Sequence, residues 1–224
     1  MIVAIDGPAA SGKSTVAKRL AVHVGAHYLD TGAMYRSVAY AALSAGIPLD
    51  DGEALAELTA SLEIAFAHED DSPLPTAVLL DGQDVTAAIR TPEVDAAVSA
   101  VASDPQVRHA LVAQQRSLAS SAPVLVVEGR DIGTVVFPDA EVKIFLTASP
   151  EERARRRHAE MTGRGHAVES ASVLEGLTRR DEADSSRTAS PLTPAPDAVE
   201  LDTTGLTIEQ VVERIAALVR ERAR

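Results

Sequence analysis

The run Gly7-Pro8-Ala9-Ala10-Ser11-Gly12-Lys13-Ser14 has the residue types and spacing of a loop that wraps a polyphosphate. Its glycines let the backbone fold back so that successive N–H groups point inward, and a helix starting behind them adds its positive end. Lys13 is placed to reach the outer phosphates, and the Ser14 hydroxyl to bind the Mg²⁺ that accompanies them. The nucleotide contacts expected from this stretch are Gly7, Pro8, Ala9, Ala10, Ser11, Gly12, Lys13, Ser14 and Thr15, with Ser14 as the metal ligand. Arginine is the second signal. Arg153, Arg155, Arg156 and Arg157 fall in one short segment and Arg179, Arg180 and Arg187 in another, which marks either local anion sites or solvated helix faces. At helical spacing Arg153 and Arg157 share one face, while Arg155 and Arg156 point elsewhere.

Such groups need a frame that turns them toward one point. Apolar runs at 2–5, 26–30, 123–128, 142–146 and 198–202 read as five strands, and residues 123–128 are too continuously apolar to leave one face in water. Helical patterns lie between them, so an α/β fold with a parallel sheet flanked by helices is expected. Gly129-Arg130-Asp131-Ile132-Gly133-Thr134 then forms a polar loop at the carboxyl end of a strand, where open parallel sheets bind ligands. Residues 15–24, 31–45 and 50–62 read as helices. Between 63 and 91 the character changes to short strands, at 62–66 and 77–80, with Asp81-Gly82 as a hairpin turn, which predicts a small antiparallel insert. Thr91-Pro92 and Asp104-Pro105 open two further helices, the second running toward Ser120-Ser121. Ser149-Pro150-Glu151-Glu152 starts the arginine-rich helix with a cap, a proline and a reciprocal glutamate, and Gly163-Arg164-Gly165-His166 breaks it. A polar helix is expected from about 169 to 186. Thr207 with Gln210 caps a last helix whose Ile208, Val211, Val212, Ile215, Leu218 and Val219 mark one apolar face.

The 224 residues suffice for one such domain with an embellishment and not for two. A hydrophobic fraction of 46% with 24% charged residues is ordinary globular composition. A formal net charge of -12 argues against a general nucleic-acid binder. No apolar run reaches the roughly 20 residues of a membrane helix, and the start lacks signal-peptide features, so a cytoplasmic protein is expected. Zero cysteines exclude disulfides and thiolate metal sites. Size leaves no room for the coupling domains of motors or transporters, and no N-K-x-D run marks a guanine switch. What remains is transfer of a nucleotide's terminal phosphoryl group to a small acceptor.

Four stretches carry a resemblance: residues 7–14, residues 28–36 (Tyr28-Leu29-Asp30-Thr31-Gly32-Ala33-Met34-Tyr35-Arg36), residues 129–140 and the run from Arg180-Asp181 through Asp184 to Arg187. Together they resemble bacterial cytidylate kinase, a nucleoside monophosphate kinase family of P-loop proteins, in order along the whole chain. The resemblance implies a P-loop NTPase-type five-stranded parallel sheet with a small antiparallel insert in the monophosphate-binding region and a helical lid. Within a single domain of 1–224, the core is expected at about 1–30, 121–150 and 190–224, the monophosphate-binding region at about 31–120 and the lid at about 151–168. The implied reaction is phosphorylation of CMP and dCMP by ATP with Mg²⁺, by a monomer without nucleic-acid or membrane partners. By the same resemblance Arg36 and Arg130 hold the acceptor phosphate, Thr31, Ser99, Arg108, Asp131 and Arg187 form the cytosine pocket, and Arg180 and Asp184 meet the sugar hydroxyls. Lys13, Arg130, Arg153 and Arg157 are the expected catalytic cations. Read alone, Asp131 fits a structural ion pair as well, and Ser99 and Arg108 have no local motif. Glu128 departs from the aspartate common in that family, and its extra methylene changes its reach. The competing readings are a P-loop kinase for UMP, another monophosphate or shikimate, and a nucleotide-responsive binding module.

Overall fold

β1 (Ile2–Asp6) lies at the centre of a parallel sheet because its neighbours leave it no solvent-facing side. It pairs with β6 (Leu125–Glu128) on one side and β7 (Val142–Thr147) on the other, while β2 (His27–Asp30) and β8 (Val199–Asp202) form the edges. The order β2-β6-β1-β7-β8 gives the five parallel strands expected from the apolar runs. In this computed structural model residues 1–69, 72–119, 122–163, 165 and 169–223 are described.

Alternation along the strands sorts the core into two layers. Val3 and Ile5 face α1 (Lys13–Val24) and α8 (Ile208–Arg222), packing with Leu20, Ile144, Leu146 and Ile215. Ala4, Leu125 and Val127 face the opposite layer, built from α2 (Thr31–Ala45), α3 (Gly52–Ser61), α4 (Pro92–Ser103) and α5 (Pro105–Ala119). Three helix starts in that layer have a side-chain cap. Asp30 accepts from Ala33 N at 2.9 Å, Asp51 from Ala54 N at 3.1 Å and Thr91 from Val94 N at 3.4 Å. Thr207 and Gln210 form the full reciprocal cap that their spacing predicts.

The insert is a second sheet of β3 (Ile64–Ala67), β4 (Ala77–Leu80) and the two-residue β5 (Gln83–Asp84), all antiparallel. Asp81 and Gly82 both take positive φ, 50° and 79°, the geometry of the expected tight hairpin. Leu74, in the link between β3 and β4, packs into the core layer under α1 and α8.

Two local expectations are revised. The stretch after β6 is a loop only through Asp131, since Ile132–Val136 winds into a π-helical turn. Its first amides are held by Asp6 at the end of β1, whose carboxylate accepts from Ile132 N and Gly133 N at 2.8 Å each. At the start of α6 (Pro150–Gly163) Ser149 Oγ accepts from Glu152 N at 3.2 Å, but the Glu152 carboxylate turns to Arg155 and Arg156 rather than back to Ser149. Ion pairing with two guanidiniums outweighs one bond to a backbone amide. α7 (Ser170–Ser186) follows. Arg164 and His166 of the expected helix break, Ser120-Ser121 at the end of α5, and 166–168 of the expected lid lie outside the described residues. Among the described residues no helix is long and apolar enough to cross a membrane.

Candidate active site

The loop between β1 and α1 is closed by backbone geometry that only its own residues allow. Gly7 has φ 144°, and a Cβ there would stand 2.1 Å from Leu146 O of β7, so the loop and the sheet end touch backbone to backbone. Gly12 (φ 96°) precedes α1, and no side chain caps the helix. With no acidic residue in the first turn either, the amides and positive end of α1 are left for an anion. Lys13 is buried and donates to Pro8 O at 2.7 Å. Burial, reinforced by the nearby Arg130 charge, holds its ammonium well below the usual lysine range.

Ser14 Oγ donates to Glu128 Oε2 at 2.8 Å, and Tyr28 OH donates to Oε1 of the same carboxylate. Glu128 is thus fixed at both oxygens beside the loop. Its burial, with the charge of Asp30, raises its pKa above the ordinary glutamate value. Thr31 Oγ1 donates to Glu128 O at 2.6 Å, joining the start of α2 to the end of β6.

Across the cavity, arginines and carboxylates alternate. Arg108 of α5 pairs with Asp131 and also donates to Ala102 O at 3.1 Å. Both partners of that pair are buried. Arg130 reaches Asp184 at 2.8 Å and Arg187 takes the other oxygen of the same carboxylate. Burial works against ionisation of Asp184, but Arg130 and Arg187 overcome it and keep its pKa below the usual range. Arg36 pairs with Asp95 of α4. Arg180 has no partner for its buried Nε among the described residues. Burial and the neighbouring Arg130 push its guanidinium down to about 10, so that site is short of negative charge.

The arginine helix α6 stands over the loop. Arg156 donates to Ser11 O, Thr203 Oγ1 and Thr203 O, each at 3.0 Å, tying α6 to the phosphate loop and to the segment before α8. Arg157 donates to Asp95 at 2.8 Å and Glu160 at 3.0 Å. Arg153 turns inward to Asp181 and to Ala9 O.

These walls enclose one cavity of about 870 Å³. Of the residues singled out from sequence, Ala9, Ala10, Ser11, Gly12, Lys13, Ser14 and Thr15 line it on the loop side, and Thr31, Arg36, Ser99, Arg108, Arg130, Asp131, Arg180, Asp184 and Arg187 line it on the other. Arg157 joins them from α6. Gly7 and Pro8 form the turn behind the wall, and Arg153 lies under the loop rather than on the cavity surface. The lining also contains Arg155, Arg156, Arg90 and Glu152, which spacing alone left aside. Asp6, Asp95 and Asp181 are acids to which the sequence reading gave no role, although Asp181 stands in one of the stretches that carry the resemblance. Asp6 had a signal, a charged residue ending an apolar strand, whereas Asp95 and Asp181 look like ordinary helix-surface acids until the fold brings arginines to them.

The chain matches the sequence family described as cytidylate kinase over residues 3–221. It is 53% identical over 220 residues to the cytidylate kinase of Geobacillus kaustophilus, covering 98% of this chain and 96% of that protein. To the cytidylate kinase of Geobacter sulfurreducens it is 50% identical over 224 residues, covering 100% and 94%. Among solved structures, an uncharacterized protein from Eubacterium ventriosum shares the fold with a TM-score of 0.53 at 13% identity, covering 98% of each chain.

Proposed function

The chain belongs to the cytidylate kinase family, and on that premise we propose that it transfers the γ-phosphoryl group of ATP to CMP and dCMP, giving CDP and dCDP. The observation that carries this reading is a single cavity with the phosphate loop on one wall and Arg36 and Arg130 on the other. The nucleophile is an oxygen of the acceptor's phosphate, largely ionised at neutral pH because its second pKa is about 6, so no catalytic base is needed. The protein's part is to align two anions and neutralise the charge between them. Arg36 and Arg130 hold the acceptor phosphate. Lys13 draws on the donor's β- and γ-phosphates, whose negative charge restores the ammonium that burial disfavours. Arg157 closes from α6, and Arg156 fixes that helix to the loop. Arg153 supports the lid through Asp181 and Ala9 O. Arg180 and Asp184 meet the sugar.

The base pocket is Thr31, Ser99, Arg108, Asp131 and Arg187. Arg108 occupies Asp131 Oδ2, leaving Oδ1 to accept from the cytosine amine. Uracil would present a carbonyl oxygen to that same acceptor, two lone pairs facing each other. The ion pair and the base contact are therefore compatible roles for Asp131.

Ser14 and Glu128 offer oxygen donors beside the phosphates, the donor type that suits Mg²⁺, and no cluster of three or more metal-binding side chains exists among the described residues. They would hold the ion together with the nucleotide and water, Ser14 directly. When bound, such an ion would supply positive charge against the donor's phosphates. The functional division is a core at about 1–30, 121–150 and 190–224, an acceptor region at about 31–120 and a lid at about 151–168. We extend the proposal to a cytoplasmic monomer without nucleic-acid or membrane partners, and a net charge of -12 supports the absence of a general nucleic-acid partner.

ADP release measured with CMP, dCMP, UMP, AMP and shikimate as acceptors tests the reading. CMP and dCMP are expected to be used and the others poorly, and ADP release independent of acceptor would overturn it. In Asp131→Ala the CMP-over-UMP preference is expected to drop by about fivefold to 150-fold, given about 1–3 kcal/mol for such a base contact. Unchanged discrimination would remove Asp131 from the pocket.

A further inference from the structure

Asp95, in the first turn of α4, pairs with an arginine of α2 and with an arginine of α6. Oδ1 accepts from Arg36 Nη1 and Oδ2 from Arg157 Nη2, the latter at 2.8 Å. Both guanidiniums lie on the wall of the large cavity, and Asp95 does not. It borders a second hollow of about 530 Å³ between α4, α6 and α7, which Arg157 also lines and Arg36 does not. The carboxylate therefore pairs with both cations without lining the large cavity itself. Burial opposes its ionisation, but Arg36 and Arg157 together hold its pKa below the ordinary aspartate range. Arg180, whose charge also acts on this corner, adds a third cation facing the acid.

This geometry separates two tasks. Arg36 spends one terminal nitrogen on Asp95 and keeps other donors of its planar fork for the cavity. Arg157 is gripped at both terminal nitrogens, by Asp95 and by Glu160. Two like charges on different helices repel unless an anion lies between them, and here one acid sets their spacing. α6 packs on α7, and α7 on α4, so the Asp95–Arg157 pair is a direct polar link between helices otherwise joined through α7.

We infer that Asp95 is a positioning residue for phosphoryl transfer, one carboxylate that registers the acceptor-phosphate arginine Arg36 with the lid arginine Arg157 so that acceptor capture and lid placement occur as one unit. The inference rests on reading the cavity as the CMP and ATP site. Asp95 touches neither substrate and acts through the two arginines alone.

Steady-state kinetics of the full chain with CMP, ATP and Mg²⁺ test it in wild type, Asp95→Asn, Asp95→Ser, Arg157→Gln and the Asp95→Asn/Arg157→Gln double variant, with melting temperatures measured alongside. Asp95→Asn is expected to raise the CMP KM about tenfold and lower kcat about tenfold, leaving the ATP KM within about twofold. In the Arg157→Gln background the same change should leave kcat where Arg157→Gln alone put it, while the CMP KM still rises about tenfold through Arg36. A merely structural acid would lower the melting temperature and move both KM values. Equal shifts in the CMP and ATP KM, or a kcat loss that persists undiminished without Arg157, would overturn the inference. Loss of the folded state in both Asp95→Asn and Asp95→Ser would overturn it too, by showing that the carboxylate holds the fold. A wild type that transfers phosphate to other acceptors but not to CMP would bring down the functional reading, and this inference with it.

Discussion

Most arginines in and around this cavity come with a carboxylate partner. Arg36 has Asp95, Arg108 has Asp131, Arg130 and Arg187 share Asp184, and Arg153 has Asp181. Buried guanidiniums without a partner are costly, so the acids keep the empty site tolerable while leaving donors free for phosphate. Of these pairs only Asp184–Arg187, three residues apart at the end of α7, was legible locally. Partners of the other pairs are separated by 59, 23, 54 and 28 residues, distances that no short motif encodes. Asp6 shows the converse case, a buried acid held by two amides and, among the described residues, by no cation in hydrogen-bonding contact. Burial raises its pKa to about 6 against two backbone N–H bonds that pull it down. Between pH 4 and 6 the folded chain therefore holds a proton at Asp6 that the unfolded chain has lost, and stability falls as pH rises through that window. Relative to Asp6→Asn, which lacks this titration, wild-type stability in urea unfolding should drop by up to about 3 kcal/mol from pH 4 to pH 6 and then level off. A difference that stays flat across that range would show that Asp6 does not titrate as its burial implies.

At the scale of elements, legibility followed amphipathicity and turn chemistry. α8 was readable from its apolar stripe and its capping pair, and the Asp81-Gly82 hairpin from a dipeptide that tolerates positive φ at both positions. β5 was not, because two exposed residues carry no periodicity, and the π-helical turn was not, because its cause is Asp6, 126 residues away from Ile132. Glycines separate in the same way. Gly7 and Gly46 both have positive φ, 144° and 67°, but an added Cβ at Gly46 meets nothing within 4 Å, whereas at Gly7 it collides with Leu146 O. Gly46→Ala should cost about 1–2 kcal/mol of stability, the left-handed strain alone. Gly7→Ala should cost more, at least about 3 kcal/mol, because loop and β7 must part. Equal losses in chemical denaturation would mean that the loop relaxes without disturbing the sheet.

On the proposed reading the whole molecule organises two ligands around one crevice, and the sequence said more about the donor half than the acceptor half. The phosphate loop is contiguous in the chain. The acceptor half gathers α2, α4, α5, the loop after β6 and α7, so its make-up was readable only through likeness to a family. The parallel sheet beneath also has two outer strands, β2 and β8, and they are treated differently. β8 is mostly exposed and carries Glu200 and Asp202. At β2, Tyr28 N donates to Pro73 O at 3.0 Å, and Leu74 beside it is anchored in the core. A proline can accept from a strand but has no N–H to offer onward, so the insert acts as a stopper that denies a second copy of the chain any template for pairing. Replacing Ser72, Pro73 and Leu74 by glycine should therefore increase concentration-dependent self-association in sedimentation velocity relative to the parent chain run alongside. The small sheet that distinguishes the acceptor region would then have a second duty, guarding against aggregation at the strand farthest from β8.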